Sequence, residues 1–450
     1  MIKRLLSTSS FEFSLPGRLG ALAVMLAIGI PGLLLAFKTA EIAIAATIGG
    51  SFNPPGLLKA LALDPSNPEF HYRLGLAYCN SLEDYHPAEG LKQLQLAISL
   101  NHRQPLYWSG LASVCQSLGD RTCADRAIER VLELSPMAPH YYWEAANHYL
   151  LEGQPDAALS KFRRLIALDP GYAAQAFRLS LSTGNNPQEV YQKILAGQES
   201  PGLNLAYINF LTAHDEGSAA YPIWKETLGL HQFFSLSSAA PYIEWLIHNG
   251  QDHQALDAWR GLEQQGLVTR PAGDATGNLI FNSSFEQDPL NMGLGWRIRN
   301  ESYTWVDLDG SGAYAGRQSL RVDFAVSRND EYEPVLQFVP VTPDHAYLLE
   351  AYVRSDSITS SSGPRLRVTD PACASCLNAS TEGTVGTTPW HQLSLSFTTG
   401  PETNWVRLSV WRPRSRSFPS DITGTFWLDD ITLQSAGPAA KAPAASSHSS

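Results

Sequence analysis

A short phrase recurs along the first part of this chain and limits what it can fold into. Leu63-Asp64-Pro65, Leu100-Asn101-His102, Leu134-Ser135-Pro136 and Leu168-Asp169-Pro170 stand 37, 34 and 34 residues apart at their third positions. Self-similarity at such a period means one supersecondary unit repeated, and a unit of this length is a helix–turn–helix that cannot bury its apolar face alone. The chain must therefore stack these units.

Within each unit, large, small and aromatic residues take set places. Leu74, Gly75 and Tyr78 occupy the first-helix positions of one unit. Trp108, Leu111 and Ala112, with Ala124 and Ile128 in the second helix, occupy the next, and Tyr142, Ala146 and Tyr149, with Ala158 and Phe162, the third. Small residues let two helices approach, and aromatics fill the space between units. On these residues the stretch from about 50 to 170 resembles the tetratricopeptide repeats, an all-α solenoid whose concave groove takes a protein partner. The three-residue excess of the first interval is expected in the Glu83–Pro87 turn. From 171 to 266 the signal weakens to degenerate repeats or capping hairpins; Gly184-Asn185-Asn186-Pro187 reads as an interhelix turn, and Ala255, Ala258 and Trp259 as a last helix.

Before the repeats, Lys3, Arg4 and Arg18 precede an uncharged run from Leu19 to Phe37 that Lys38 ends. About 20 apolar residues cross a bilayer as a helix, and basic residues ahead of it keep the N-terminus in the cytoplasm. Two readings stay open. Length favours an uncleaved anchor over 19–37 behind a cytoplasmic segment 1–18; Ala43-Ile44-Ala45 offers a signal-peptide cleavage pattern. Either one exports the rest of the chain, which points to the inner membrane, with the bulk in the periplasm or outside the cell.

The expected helical region 38–266 ends in a linker, 267–277, marked by Pro271, Gly273 and Gly277. Beyond it the apolar period falls to two: Leu393, Leu395 and Phe397 alternate with serines, and Val406, Leu408 and Val410 with Arg407 and Ser409. Further strands are expected at 295–307, 318–326, 334–341, 346–355 and 424–433, which makes an antiparallel sandwich over 278–434. The Ala/Pro/Ser-rich segment 435–450 is expected to be a disordered tail. The fold class is thus multidomain: one transmembrane helix, an all-α solenoid, and an all-β jelly-roll sandwich.

Several pieces of the last region occur together in order: Asn278-Leu279-Ile280-Phe281-Asn282 with Phe285-Glu286, Gly295-Trp296, Gly316-Arg317-Gln318-Ser319-Leu320-Arg321-Val322, Tyr347-Leu348-Leu349 with Tyr352-Val353, and Trp427-Leu428-Asp429-Asp430-Ile431. They resemble the carbohydrate-binding modules of families 4 and 9, within the galactose-binding-like jelly rolls. Ser283-Ser284 departs from the Gly-Asp pair frequent there. The resemblance implies polysaccharide binding and a structural calcium ion between the first and last strands. Glu286 and Asp429 are its candidate ligands, since Asp429 shares the inward parity of Ile431 and Leu433, and a buried carboxylate needs a cation or donors. The other reading has Asp429 accepting turn N–H groups and Glu286 in solvent.

Outward parity on one strand gives Trp405, Arg407 and Trp411 as ligand-binding candidates, continuing into Arg412, Arg414 and Arg416. Aromatic faces stack on sugars, and arginine forks suit uronate carboxylates, so an acidic polysaccharide fits; an ordinary solvated run of charges is the plain alternative. Tyr303, Trp305 and Trp390 are further aromatic candidates. Cys115 and Cys123 flank Gly119 by four residues on each side, opposite each other across a hairpin and within bridging reach. Cys373-x-x-Cys376 reads as a loop staple, because no second such pair supplies zinc ligands. Cys79 is left over.

The net charge of −11 excludes chain-wide binding of nucleic acid. No nucleophile elbow, P-loop or H-E-x-x-H is present. The sequence thus favours a non-catalytic envelope scaffold, similar in layout to accessory factors of exopolysaccharide synthesis or export. It binds an envelope protein through the repeats and a polysaccharide through the sandwich. A glycoside hydrolase or its accessory subunit, using acids such as Glu331, Glu333 or Asp307, is the alternative.

Overall fold

A computed structural model describes residues 17–438, apart from 51–52, 82–84, 272–273, 275–276, 302 and 327–328. Lys3, Arg4 and the tail beyond 438 lie outside the described residues. The chain divides into two compact units, Met1–Pro170 and Gly171–Ser450.

The first unit opens with α1 (Gly17–Ile48), of which Gly20–Ile48 is long and apolar enough to cross a membrane. Its last turn enters the repeat core: Ala45 is fully buried in one cluster with Leu57, Ala60, Phe70 and Leu74. Arg73 also donates from Nη1 to the Gly49 carbonyl at 3.3 Å. Next come α2 (Pro54–Leu63), α3 (Pro68–Asn80), α4 (Pro87–Leu100), α5 (Pro105–Ser117), α6 (Arg121–Leu134), α7 (Pro139–Leu151) and α8 (Pro155–Leu168). The recurring leucines Leu63, Leu100, Leu134 and Leu168 are the last residues of α2, α4, α6 and α8. The phrase therefore ends the second helix of each hairpin, and after the first three a proline opens the next helix (α3, α5 and α7) at its first position, where a missing N–H costs nothing.

The extra residues of the first interval fall between Asn80 and Pro87, where the α3–α4 turn is longer than the turns of the next two hairpins. At that crossing two glycines replace the usual alanines. A Cβ on Gly75 would stand 2.9 Å from the Gly90 carbonyl, and one on Gly90 2.8 Å from that of Gly75. Elsewhere Ala112, Ala124, Ala146 and Ala158 are buried in the expected places. Cys115 and Cys123 are bonded across the α5–α6 turn, with Cα atoms 5.7 Å apart.

The second unit contains helices as well as the sandwich, so the boundary lies inside the helical region and not at the 267–277 linker. Its helices are α9 (Ala173–Ser182), α10 (Pro187–Val190), α11 (Pro201–Ala213), α12 (Ala220–Gly229), α13 (Leu236–His248) and α14 (Asp252–Gln264). Asn186 and Glu189 form a capping box at α10. The linker is tied down: Asp274 accepts from the backbone N–H groups of Asn282 and Ser283 and from the Ser283 hydroxyl at 2.8–3.1 Å.

The strands are β1 (Arg297–Ile298), β2 (Thr304–Asp309), β3 (Ser319–Val326), β4 (Tyr332–Pro340), β5 (His345–Ile358), β6 (Arg365–Thr369), β7 (Asn378–Ser380), β8 (Gly386–Thr398), β9 (Trp405–Arg412) and β10 (Ile422–Pro438). Two antiparallel sheets, ordered β1-β4-β9-β6-β7 and β2-β3-β10-β5-β8, enclose one core that includes Phe285, Trp296, Val322, Val410 and Leu428. The strand expected at 295–307 is two strands, β1 and β2, which enter opposite sheets. β10 pairs with β5 as far as Pro438↔His345, so residues 435–438 belong to a strand and not to the tail. Asn278 ties the start of the sandwich to its end, donating to the Ile431 carbonyl and accepting from Leu433 N–H.

Helices and sandwich meet through a few fitted contacts within this unit. Glu244 on α13 accepts from Arg297 Nη2 at 2.7 and 2.9 Å and from Gly293 N–H at 2.7 Å. Gly293 has φ +57°, and a Cβ there would lie 2.1 Å from the Trp259 ring, so only glycine lets α14 close on this loop. Trp259 meets Phe281 edge-on, centroids 5.8 Å apart.

Candidate glycan-binding face

Strand alternation determines the site. On β9, Val406, Leu408 and Val410 point into the core, which turns Arg407, Ser409 and Trp411 to the outer face of the five-stranded sheet β1-β4-β9-β6-β7. Neighbouring strands supply the flanks. Arg365 and Arg367 come from β6, paired with Trp411 and Ser409, and Glu333 from β4.

Trp411 sits at the centre. Its indole donates to Glu331 Oε1 at 2.6 Å, and the Arg367 guanidinium lies 4.3 Å from the ring centroid, with Arg365 at 5.8 Å. Arg367 is also tied to Asn378 and, at 3.3 Å, to Glu331. Glu333 accepts from Ser409 Oγ at 2.6 Å and pairs with Arg407 at 3.2 Å. The arginines Arg367 and Arg407 are thus neutralised on the spot. Arg365 and Arg367 escaped the sequence reading, although Arg365-Leu366-Arg367-Val368 has the period-two signature.

Three of the candidates on this strand need correction or qualification. Arg412 is not outward: it is 1% exposed and donates to the carbonyls of Ser362, Asp330 and Ser420 and to the side chains of Asn329 and Ser360. The outward row ends at Trp411, so Arg412 turns under the loops as a buried pin. Arg414 is exposed, 3.7 Å from Asp330. Trp405 is on the outer face yet only 6% exposed.

Trp405 is covered by the α13–α14 turn, and the two enclose a cavity of about 520 Å³. Asn249 and Asp252 face Trp405, Arg407, Asp370 and Phe338 across it. Asp370 shapes one wall, accepting from Thr403 Oγ1 at 2.6 Å and from the N–H groups of Ala372 and Cys373. The Cys373–Cys376 bond closes that loop. Burial raises the Asp252 carboxyl above the usual range, opposed by Asn404 and Trp405 beside it.

Of the further aromatics, Trp305 and Tyr303 are half-exposed at the other sheet's edge. Trp390 is 5.9 Å from Tyr314, which stacks on Tyr352 at 3.6 Å.

Glu286 and Asp429 grasp one turn from two sides. Asp429, fully buried, accepts from the N–H groups of Tyr314, Ala315 and Asp430 at 2.8–3.0 Å. Glu286 accepts from Arg317 N, Arg317 Nε and Gln318 N at 2.6–3.3 Å. Calcium needs oxygen ligands, whereas this turn presents N–H groups, and among the described residues no three metal-ligating side chains cluster. Burial pushes Asp429 up to about 6, against the pull of those N–H groups.

In the first unit the repeats form a groove of about 400 Å³ lined by Ser109, Ser113, Tyr141, Glu144 and His148.

The architecture defines the class: a helical-repeat protein that carries a sandwich of two antiparallel sheets. No family model matches the chain, and no curated protein matches it. Among solved structures it is similar to MamA, with 20% identity over 42% of this chain and 92% of that one, TM-score 0.27. It is similar to YrrB, described as a TPR protein with an unusual peptide-binding site, with 22% identity over 40% and 90% of the chains, TM-score 0.29. It is also similar to the CBM22-1 xylan-binding domain of Xyn10C from Paenibacillus barcinonensis, with 18% identity over 35% and 94%, TM-score 0.24.

Proposed function

We propose that this protein is a membrane-anchored, non-catalytic scaffold that binds a polysaccharide on the outer face of the sheet β1-β4-β9-β6-β7 and a protein partner in the repeat groove. The observation that carries the reading is the Trp411 platform, an aromatic ring flanked by arginine forks and carboxylates whose hydrogen-bonding groups match sugar hydroxyls. Because Glu333 and Glu331 already pair with Arg407 and Arg367, a neutral glycan suits this face better than an acidic one. A place in exopolysaccharide synthesis or export extends the proposal by analogy of layout. An uncleaved anchor is supported by the burial of Ala45 in the first repeat's core, since cleavage after that residue would remove it.

Affinity electrophoresis of the full chain through gels containing xylan, glucomannan or polygalacturonate tests the proposal. Retardation by a neutral polysaccharide, with Trp411→Ala weakening it at least about tenfold as expected of a buried aromatic anchor, supports it. Equal mobility in every gel overturns it. The hydrolase alternative would use Glu331 and Glu333, and release of reducing ends, lost on changing either acid to glutamine, would establish it.

A further inference from the structure

We propose that the α13–α14 turn completes the glycan site, clamping one neutral sugar unit against Trp405 in the cavity between helices and sheet. The inference rests on the glycan reading above and extends it to residues outside the sandwich.

The cavity has the size of a small-molecule pocket, about 520 Å³ against the usual range of about 300–1,000 Å³. Its walls mix apolar plates, Trp405 and Phe338, with polar groups that converge from both sides. The Trp405 indole and the Asn404 side chain both meet the Asp252 carboxyl at the cavity wall. A ligand carrying several hydroxyls would find acceptors in Asp252, Glu402 and Asn249 and a donor in the Asn404 amide.

Charge selects the kind of ligand. Asp252, Asp370 and Glu402 line the cavity, while the Arg407 guanidinium is tied to Glu333. Anionic sugars meet carboxylates there with no free fork to receive them. The clamp is also preformed. Glu244, one turn before the cavity on α13, is locked to Arg297 and Gly293, and Trp259 on α14 seats over Gly293. The turn is therefore held in place before any sugar arrives, which lowers the cost of ordering it on binding.

The test is calorimetric titration of the full chain, in a detergent without a sugar headgroup, with xylohexaose, cellohexaose, mannohexaose and hexagalacturonate. Three variants accompany it: Asp252→Ala, Ala372→Trp and Trp411→Ala. Ala372 is exposed at the cavity and its side chain makes no hydrogen bond, so the tryptophan fills the space without removing a contact. We expect a neutral hexaose to bind, and both Asp252→Ala and Ala372→Trp to weaken it at least tenfold at unchanged Tm. Should Asp252→Ala lower Tm, Ala372→Trp decides. Wild-type affinity in Ala372→Trp, alongside loss in Trp411→Ala, overturns the clamp and leaves the open-face site standing. Tighter binding of hexagalacturonate overturns the charge selection. Silence of the wild type toward every probe overturns the glycan reading and the clamp together.

Discussion

At the scale of single residues, the buried carboxyl of Asp429 yields a pH signature. Its value in the fold, about 6, lies above the unfolded value of about 3.9, so the folded chain holds the proton between these limits. Stability therefore rises as pH falls from about 7 to about 4, by at most about 3 kcal/mol, and levels off below. Tm followed across this range should show the rise, and Asp429→Asn should flatten it. A calcium ion between Asp429 and Glu286 would give the reverse: acid would release it and lower Tm, and chelator would do the same at neutral pH. Asp429 also shows what a sequence conveys about a residue. Its inward parity was legible, because alternation is local. That it accepts turn N–H groups was one of two open readings; that Tyr314 and Ala315 supply them was not legible, since the closing of the sheet brings them there. Arg412 marks the same limit: continuing the charged run outward ignores that the strand ends at Arg412 and the loops 329–330, 360–362 and 420 fold over it.

Elements were legible where their period was sustained. The 34-residue spacing located the ends of α2, α4, α6 and α8, and the alternation in 393–397 and 406–410 located β8 and β9. The short strands β6 and β7 were missed, and with them Arg365 and Arg367: β6 alternates over only four residues, too short a run to stand out from chance, and β7 has three residues. What no local pattern reveals is which elements share a core. The contact of α13 with the loop before β1 depends on Glu244, Arg297 and Gly293, residues 49 and 53 positions apart. Replacing Glu244 with Ala leaves Arg297, 9% exposed, without its carboxylate. The expected loss is about 2 kcal/mol in urea unfolding, moderated by the partial exposure of Glu244, whereas Glu244→Gln should lose about half as much.

At the scale of the whole molecule, the compact units do not coincide with the two kinds of structure. Helices α9–α14 belong with the sandwich, so a fragment cut at the 267–277 linker would expose Phe281 and the Trp259 face of α14. Mass spectrometry of protein extracted from membranes should find the apolar segment still attached. A mature chain beginning at Ala46 would overturn the anchored reading and would have lost Ala45 from the first core.

The join at Ala45 has a mechanical meaning. A helix of 32 residues is about 48 Å long, and a hydrocarbon layer is about 30 Å thick, so α1, if it spans a bilayer as proposed, has length to spare for its last turn to stand clear of lipid in the first repeat's core. On the proposed anchored reading, the packing of Ala45 against Leu57 and Phe70 would pass a pull exerted by a partner in the groove on to the bilayer.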